Sequence, residues 1–306
     1  MTSDHRNATS SDAGRIDAAM IDEPLIRSLL DEQFPQWSAL PLRFVERGGN
    51  DHRIYRLGDD LSVRLPSAAG YVPQVAKEQA WLPRLAGSVP LPIPVVRGVG
   101  RPTERFPAPW SVYGWLPGVP ASRTVVENPV RFAADLAAFL VALRSADTTG
   151  APGPGPHSAF RGAPLEHFDS ETRDLLVRVH GRERDLAVGI WRDALDGVFT
   201  GAPVWFHGDV SVNNLLVEDG ALTAVIDFGC AGVGDPACDT VLVWTYLSGE
   251  AREVFRREYD VDDATWARGR GWALWKALIM ITNKPPGQAE LARHVLDQLF
   301  AERGVG

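Results

Sequence analysis

Hydrophobic residues follow a strand-like pattern in the first third of the chain and a helical pattern in the rest. The predicted strands are short apolar stretches bounded by turns rich in glycine and aspartate: Leu42–Arg47, His52–Leu57, Leu61–Leu65, Val95–Val99 and Trp110–Leu116. Apolar positions three and four residues apart predict a helix at Val72–Leu85. The N-terminal part is therefore predicted to be a small antiparallel sheet with a helix packed on it.

From Asn128 onward the apolar spacing is that of helices. Asn128 is suited to cap a helix whose first residue is Pro129. Between the later helices, Asp219-Gly220 separates two short apolar runs and predicts a β-hairpin. The other predicted helices share the same periodicity: Asp169–Phe199, Asp235–Tyr246, Glu250–Tyr259, Ala264–Ile281 and Gln288–Arg303. The pattern as a whole predicts an α+β protein.

Composition excludes several classes of protein. The 306 residues are 45% hydrophobic and 23% charged, as in ordinary globular proteins. The net charge of -8 and the scattered basic residues argue against a nucleic-acid partner, and they are compatible with a cationic small molecule. Two cysteines give no disulfide framework, so a cytoplasmic location is expected. No apolar stretch is long enough to span a membrane, and nothing in the sequence indicates an oligomeric state.

One segment combines residues that suit phosphoryl transfer. It begins with His207-Gly208-Asp209, continues with Asn214 five residues after the aspartate, and reaches Asp227 after the predicted hairpin. Each of these residues alone is usually a turn former or a packed histidine. Together they supply a carboxylate that can deprotonate a hydroxyl and oxygen atoms that can hold Mg²⁺ on nucleotide phosphates. The set therefore predicts a phosphotransferase site.

This segment, followed by Gly234-Asp235-Pro236-Ala237 and Asp239, resembles the aminoglycoside phosphotransferase family. The resemblance runs from about Leu42 to the C-terminal helices. It implies the α+β, bilobal protein-kinase-like fold, with a small antiparallel-sheet lobe at 21–115 and a larger, mostly helical lobe at 116–306. Residues 1–20 are polar without an apolar run and are expected to form a disordered tail. The resemblance also implies transfer of the γ-phosphate of ATP or GTP to a hydroxyl of a small molecule, with Mg²⁺.

The same resemblance assigns roles in the C-terminal lobe. Asp209 corresponds to the catalytic base, and Asn214 and Asp227 correspond to the metal ligands. Asp235 and Asp239 are expected to stabilise the loop after the metal ligand.

In the N-terminal lobe, Gly48, Gly49 and Asn50 resemble the family's shortened phosphate loop, although the same residues suit a plain hairpin turn. Arg64 stands where a kinase-like fold usually has a lysine that holds the phosphates. Arginine keeps the charge and can pair bidentately with Glu78 on the following helix. The alternative role for Arg64 is a surface charge on an amphipathic strand.

The stretch Trp110–Gly118 resembles the hinge between the two lobes. By this resemblance, backbone groups of Tyr113, Gly114, Trp115 and Leu116 face the adenine of the nucleotide. An ordinary edge strand is the alternative.

The acceptor is left open by the sequence. An aminoglycoside-type antibiotic, a macrolide, and an endogenous sugar or amino alcohol are all compatible with the motif, as is a nucleotide-binding pseudoenzyme, for which Arg64 is the one supporting feature. Trp266, Trp272 and Trp275 suit either a substrate pocket or, more commonly, a core. Acidic residues of the same region suit either an amine-bearing substrate or a solvated surface: Glu250, Glu253, Asp260, Asp262, Asp263 and Glu290.

Overall fold

A computed structural model describes residues 16–46, 51–283 and 287–304 of the chain. The chain divides into two compact units. The first unit runs up to Gln79 and includes Val95–Trp115, and the second consists of Ala80–Pro94 and everything from Leu116 onward. The lobe boundaries at residues 115 and 116 and the tail at 1–20 stay predictions.

The first unit is built on an antiparallel sheet whose strand order is β1-β2-β3-β5-β4. Its elements, including a helix α2 that begins in this unit, follow in chain order: α1 (Glu23–Gln33), β1 (Leu42–Phe44), β2 (His52–Leu57), β3 (Leu61–Pro66), α2 (Val72–Leu85), β4 (Val96–Gly100) and β5 (Trp110–Gly114). The first three strands form the predicted meander, with Leu57 opposite Leu61 at the turn. The prediction of an antiparallel N-terminal sheet is confirmed.

One hydrophobic core joins the sheet of this unit to helix α1. Asp22 caps α1 by accepting a hydrogen bond from the Leu25 backbone N–H at 2.9 Å. The buried side of α1 belongs to the same cluster as the inward-facing residues of β3 and β5: Ile26, Leu29, Leu30, Val63, Leu65, Trp110 and Val112. Because these strands alternate inward and outward side chains, the side chain of Arg64 lies on the opposite face from Val63 and Leu65.

The second unit is mostly helical, as predicted. Its elements follow in chain order: β6 (Val119–Pro120), α3 (Pro129–Arg144), α4 (Asp169–Leu176), α5 (Gly181–Asp196), β7 (Val204–Phe206), β8 (Leu215–Glu218), β9 (Ala221–Val225), β10 (Gly232–Gly234), α6 (Leu242–Thr245), α7 (Gly249–Tyr259), α8 (Asp263–Asn283) and α9 (Gln288–Gly304). The Asn128 side chain caps α3, and β8 pairs with β9 around Asp219-Gly220. Both predictions made from local sequence are confirmed.

Two predicted helices are wrong in their extent. The stretch Asp169–Phe199 forms two helices rather than one, because Gly181 has φ +58° and begins a new helix there. The stretch Asp235–Tyr246 is a 3₁₀ helix at Pro236–Val241 followed by the short α6. The antiparallel pair formed by β7 and β10 was not predicted.

Helix α8 packs against α5 and α9 and carries several aromatic residues of the second unit. Trp272 is 1% exposed and Trp275 is 8% exposed, whereas the side chain of Lys276, the next residue after Trp275, is partly open to solvent. Within the described part of the chain, no helix has both the length and the apolar character needed to cross a bilayer.

Candidate active site

The predicted catalytic loop lies between β7 and β8, and His207 ties it to the strand that leads to Asp227. His207 is fully buried. Its Nδ1 accepts a hydrogen bond from the Asp209 backbone N–H at 3.3 Å, and its Nε2 donates to the Ile226 carbonyl at 3.1 Å. Because one ring bonds both segments, His207 fixes the position of Asp209 relative to Asp227.

The turn before Asp209 depends on a glycine and a buried aspartate. Gly208 has φ +83°, and a Cβ built there would lie 2.5 Å from the Cys230 carbonyl oxygen. Asp239 accepts hydrogen bonds from the backbone N–H groups of His207 at 2.8 Å and Gly208 at 2.7 Å. Burial raises the pKa of the Asp239 carboxyl, while His207 and the two N–H donors act in the opposite direction. This aspartate therefore holds the loop in place.

The carboxylate of Asp209 is held by two side chains. Asn214 Nδ2 donates to Asp209 Oδ2 at 3.1 Å and to the Asp209 carbonyl at 3.0 Å. Lys276 Nζ of helix α8 lies 3.3 Å from Asp209 Oδ1. With 38% of its side chain exposed, Asp209 is fixed in orientation and still accessible to a small molecule.

Asn214 and Asp227 lie next to each other in the structure. The Ile226 backbone N–H donates to the Asn214 carbonyl at 2.9 Å, which brings the next residue, Asp227, beside Asn214. Asp227 has φ +68°, a left-handed conformation that aspartate tolerates better than most residues. Since Asn214 Nδ2 donates to Asp209, its Oδ1 points away from that residue. One carboxylate and one amide oxygen match the few protein ligands that Mg²⁺ takes when phosphates supply the others.

A pocket opens beside Asp209 within the second unit. Its wall includes Arg161, Trp272, Trp275 and Lys276 together with Asp209. The Arg161 guanidinium lies over both indole rings, 4.6 Å from the centroid of Trp275 and 5.4 Å from that of Trp272. The chemical character of this wall is therefore aromatic and cationic.

Two of the three tryptophans considered in the sequence line this pocket, and the third does not. Trp266 packs against Trp244 with the two rings tilted by 56°, and it donates from Nε1 to Glu302 at 2.9 Å. Two of the acidic residues of the same region have partners elsewhere: Asp263 accepts a hydrogen bond from Arg256, and Asp262 caps α8. Neither belongs to the pocket wall.

In the first unit, Arg64, Glu78 and Tyr113 form a buried cluster. Arg64 Nη1 lies 3.5 Å from Glu78 Oε1, and the Tyr113 hydroxyl donates to Glu78 Oε2 at 2.8 Å. The contact recorded for this pair joins one guanidinium nitrogen and one carboxylate oxygen, and its bidentate form stays a prediction. Burial and the charge of Glu78 raise the pKa of Tyr113 well above its ordinary value.

His52 completes this cluster. Its Nδ1 lies 3.3 Å from Arg64 Nη2, and the ring is buried. Burial, with the charge of Arg64 added to it, lowers the pKa of His52 well below its ordinary value. His52 is therefore a neutral acceptor for Arg64 at neutral pH.

The predicted hinge residues have some of their backbone groups already paired. Gly114 N–H donates to the Val95 carbonyl at 2.9 Å, and Trp115 N–H donates to the Asp60 carbonyl at 2.7 Å. Tyr113 is paired within the sheet on both sides. The adenine-facing role of these residues and of Leu116 stays a prediction. Gly48, Gly49 and Asn50 lie outside the described residues.

Asp235 also has a structural partner. Arg268 of α8 donates to it from Nε at 2.7 Å and from Nη2 at 3.1 Å, and both side chains are at most 5% exposed. This bidentate pair ties the segment after Asp227 to α8, the helix that carries Lys276.

The structure thus brings together Asp209, Asn214 and Asp227 in one unit and Arg64, Glu78 and Tyr113 in the other. Sequence analysis did not single out Arg161 and Lys276. For Lys276 a signal existed, because it is a lone charge in the most apolar part of α8. Arg161 lies 48 residues before Asp209 in a glycine- and proline-rich region, where the sequence gives no signal.

The antiparallel-sheet unit, the helical unit and the His-Gly-Asp loop define a protein-kinase-like phosphotransferase. A sequence model of the phosphotransferase enzyme family matches residues 43–272, which is most of the chain. The chain belongs to this family, and the family resemblance and the prediction of a phosphotransferase are both confirmed.

Solved structures share the fold at low sequence identity. The GDP complex of wild-type aminoglycoside 2'-phosphotransferase-IIIa has 18% identity and a TM-score of 0.72, with 92% of this chain and 99% of that chain covered. Macrolide 2'-phosphotransferase MphH from Brachybacterium faecium has 21% identity and a TM-score of 0.60, with 90% and 97% covered. No curated protein matches the chain as a sequence relative.

Proposed function

We propose that this protein transfers the γ-phosphate of ATP or GTP to a hydroxyl group of a small molecule, with Asp209 as the general base. The observation that carries the proposal is the fixed and accessible carboxylate of Asp209, which opens onto a pocket in a chain of the phosphotransferase family. A positioned base of this kind accelerates proton transfer by about 10²- to 10⁴-fold.

The neighbours of Asp209 prepare it for this step. Asn214 bonds Oδ2 and Lys276 bonds Oδ1, so neither oxygen rotates freely. An acceptor hydroxyl in the pocket donates its hydrogen bond to the exposed side of the carboxylate. The attacking oxygen then loses its proton to Asp209 as its bond to the γ-phosphorus forms, while the bond from the γ-phosphorus to the bridging oxygen breaks and ADP or GDP leaves.

Asn214 and Asp227 are the proposed Mg²⁺ ligands. The donor set fits a hard cation, and the amide of Asn214 is already oriented by its bonds to Asp209. When bound, Mg²⁺ neutralises charge on the transferring phosphate. A single carboxylate in the pair leaves the remaining coordination positions for phosphate oxygens and water.

Arg64 is the proposed nucleotide-binding cation of the first unit, with Glu78 as its positioning partner. The solved neighbours support a nucleotide co-substrate, because one is described as a GDP complex and another, at 17% identity, as ADP-bound. Gly48, Gly49, Asn50 and the hinge backbone are proposed to complete the nucleotide site.

The neighbours also support small-molecule antibiotics as candidate acceptors. One is a complex with GDP and kanamycin, and another is named a macrolide 2'-phosphotransferase. The two differ in charge and polarity, so the fold alone does not choose between them.

The decisive experiment measures acceptor-dependent formation of ADP or GDP in the presence of Mg²⁺ across antibiotics, sugars and amino alcohols. Asp209→Asn should lower turnover by about 10²- to 10⁴-fold while nucleotide binding persists. Asp219→Asn is the matched control, because Asp219 is an exposed aspartate at the tip of the β8–β9 hairpin. Acceptor-dependent turnover that survives Asp209→Asn would rule out the assigned base. Nucleotide binding with no turnover on any acceptor would favour the pseudoenzyme.

A further inference from the structure

The pocket beside Asp209 carries more positive than negative charge. Arg161 and Lys276 contribute cations to its wall, and Asp209 contributes the carboxylate. Lys276 already compensates Asp209 at 3.3 Å. Arg161 therefore supplies the surplus positive charge, although the whole protein has a net charge of -8.

Arg161 is held in place by aromatic rings. Its guanidinium lies over the rings of Trp272 and Trp275. Both indoles also pack against Phe168, whose ring centroid lies 4.9 Å from that of Trp272 and 4.8 Å from that of Trp275. Among the described residues, nothing accepts a hydrogen bond from Arg161 Nη1, although this nitrogen is shielded from solvent. A guanidinium has five N–H donors and matches the geometry of carboxylate and phosphate groups.

The other nearby carboxylates do not belong to the pocket wall. Glu171 accepts a hydrogen bond from Trp275 Nε1 at 2.8 Å, and Asp235 is paired bidentately with Arg268. Asp239 is buried under the catalytic loop, where it accepts two backbone N–H groups. A polycation in the pocket would meet Arg161 and Lys276 at close range, which is unfavourable.

Resting on the proposed function, we infer that the acceptor is a hydroxyl compound that carries an oxyanion, a carboxylate or a phosphate, on an apolar or aromatic body. Arg161 binds the oxyanion, the indoles contact the body, and the hydroxyl is directed to Asp209. By the same charges, the pocket discriminates against aminoglycosides.

The test uses probes that share one benzene ring and one hydroxymethyl group and differ in charge. They are 4-(hydroxymethyl)benzoate, 4-(hydroxymethyl)phenyl phosphate, 4-(hydroxymethyl)benzamide and 4-(hydroxymethyl)benzylamine, with kanamycin as a polycation. Calorimetry and tryptophan fluorescence measure binding to the full chain, and nucleotide turnover is measured separately. We expect at least one of the two anions to bind about tenfold or more tightly than the amine. The carboxylate and phosphate probes then show which oxyanion the site takes.

Arg161→Gln should reduce the preference for anion over amine by about tenfold, and Arg161→Lys should retain part of it, because lysine keeps the charge but not the planar fork. Arg131→Gln is the matched control, because Arg131 is an exposed arginine on α3 that pairs with Asp135. Thermal melting checks that each variant folds, and Arg161→Lys keeps the test valid if the glutamine variant does not.

Tighter binding of the amine or kanamycin would overturn the inference, as would a preference unchanged in Arg161→Gln. Absence of binding by every probe at millimolar concentration would also count against it. The proposed function fails by a different result, namely the absence of nucleotide turnover with any acceptor, because binding is measured without turnover.

Discussion

Asp209 is held from two sides by groups of different charge. Asn214 contributes a neutral hydrogen bond to one carboxylate oxygen and Lys276 contributes an ammonium to the other. Asn214 comes from the same loop, five residues later, whereas Lys276 comes from α8, 67 residues away. The position of the base therefore depends on tertiary packing as well as on the loop.

Lys276→Met should lower turnover by about five- to tenfold, with nucleotide affinity nearly unchanged. A charge-assisted hydrogen bond contributes about 1.5–3 kcal/mol when buried, and the partial exposure of both side chains reduces that value. Single-turnover kinetics would measure the effect. Arg270→Met is the matched control on the same helix, because Arg270 pairs with Glu302 at 3.6 Å and is not part of the pocket wall. Equal turnover in the two variants would mean that Lys276 does not position Asp209.

The neutral state of His52 makes the first unit sensitive to acid. Its pKa in the folded protein lies well below that in the unfolded chain, because burial and Arg64 disfavour the charged ring. Between these two pKa values the unfolded chain binds the additional proton. Stability contributed by neutral His52 is therefore complete above the ordinary histidine pKa and is lost as the pH falls below it.

The free energy of unfolding should accordingly fall as the pH is lowered from 7 towards 5, with a contribution from His52 of up to about 1.4 kcal/mol per pH unit. Urea titrations at several pH values would measure it. His52→Gln removes the titrating group and should flatten the pH dependence below pH 6.5 relative to the wild type. Parallel curves for the two proteins would show that His52 is not the group responsible.

At the scale of elements, the turn before Asp209 requires a glycine at position 208. Its φ of +83° is disfavoured for residues with a side chain, and a Cβ there would overlap the Cys230 carbonyl. Asp239 holds the same turn by accepting its two N–H groups. The strand pair β7–β10 and the buried aspartate together present Asp209 to the pocket.

Gly208→Ala should destabilise the protein by more than the roughly 1–3 kcal/mol of an ordinary strained residue, because a backbone overlap adds to the strain. Turnover should fall with it, since the loop must shift. Gly249→Ala is the matched control: it also has positive φ, +51°, but nothing lies within 4 Å of the added Cβ. Thermal melts and turnover of both variants would distinguish the effect of backbone strain, which both share, from that of the overlap, which only Gly208→Ala has. Equal losses of stability in the two variants would contradict this account.

Elements that depend on local sequence were predictable, and those that depend on distant contacts were not. The hairpin at Asp219-Gly220 and the cap at Asn128 follow from turn and capping chemistry, which acts within four residues. The sequence predicted a single helix over 169–199, because the helical spacing of apolar residues continues across the break before Gly181. The pairing of β7 with β10 joins residues about 30 positions apart, and no local signal marks it.

For the candidate site, sequence analysis singled out the residues predicted to serve phosphoryl transfer and missed Arg161 and Lys276, which line the pocket beside Asp209. Asp209, Asn214 and Asp227 lie within a recognisable spacing, and their roles stay predictions. Arg161 and Lys276 reach the pocket from remote segments, so only packing reveals them. The hydrogen bond from the buried Tyr113 hydroxyl to Glu78 likewise joins distant residues, 35 positions apart.

At the scale of the whole molecule, the net charge is negative, whereas the wall of the pocket beside Asp209 carries more positive than negative side chains. The acidic composition was compatible with a cationic acceptor, but Asp263 is paired with Arg256 and Asp262 caps α8, and neither lines the pocket. Recognition depends on the charges that face the ligand at close range, because exposed charges beyond about 10 Å are largely screened. The overall charge therefore says little about the acceptor.

Binding of nucleotide should be visible in the stability of the whole protein. A ligand at 100 times its Kd that binds the folded state alone raises the free energy of unfolding by about 2.7 kcal/mol. If Asn214 and Asp227 hold Mg²⁺ on the nucleotide, the increase with ATP or GTP should be larger with Mg²⁺ than with a chelator. Asp227→Ala should abolish the Mg²⁺-dependent part, because the neutral amide of Asn214 alone supplies no negative charge to hold the cation. Asp260→Ala is the matched control, since Asp260 is an aspartate with the same left-handed backbone, φ +49°, at the end of α7. Thermal denaturation of the three proteins would measure these increments, and a Mg²⁺-dependent increment retained in Asp227→Ala would remove Asp227 from the metal site.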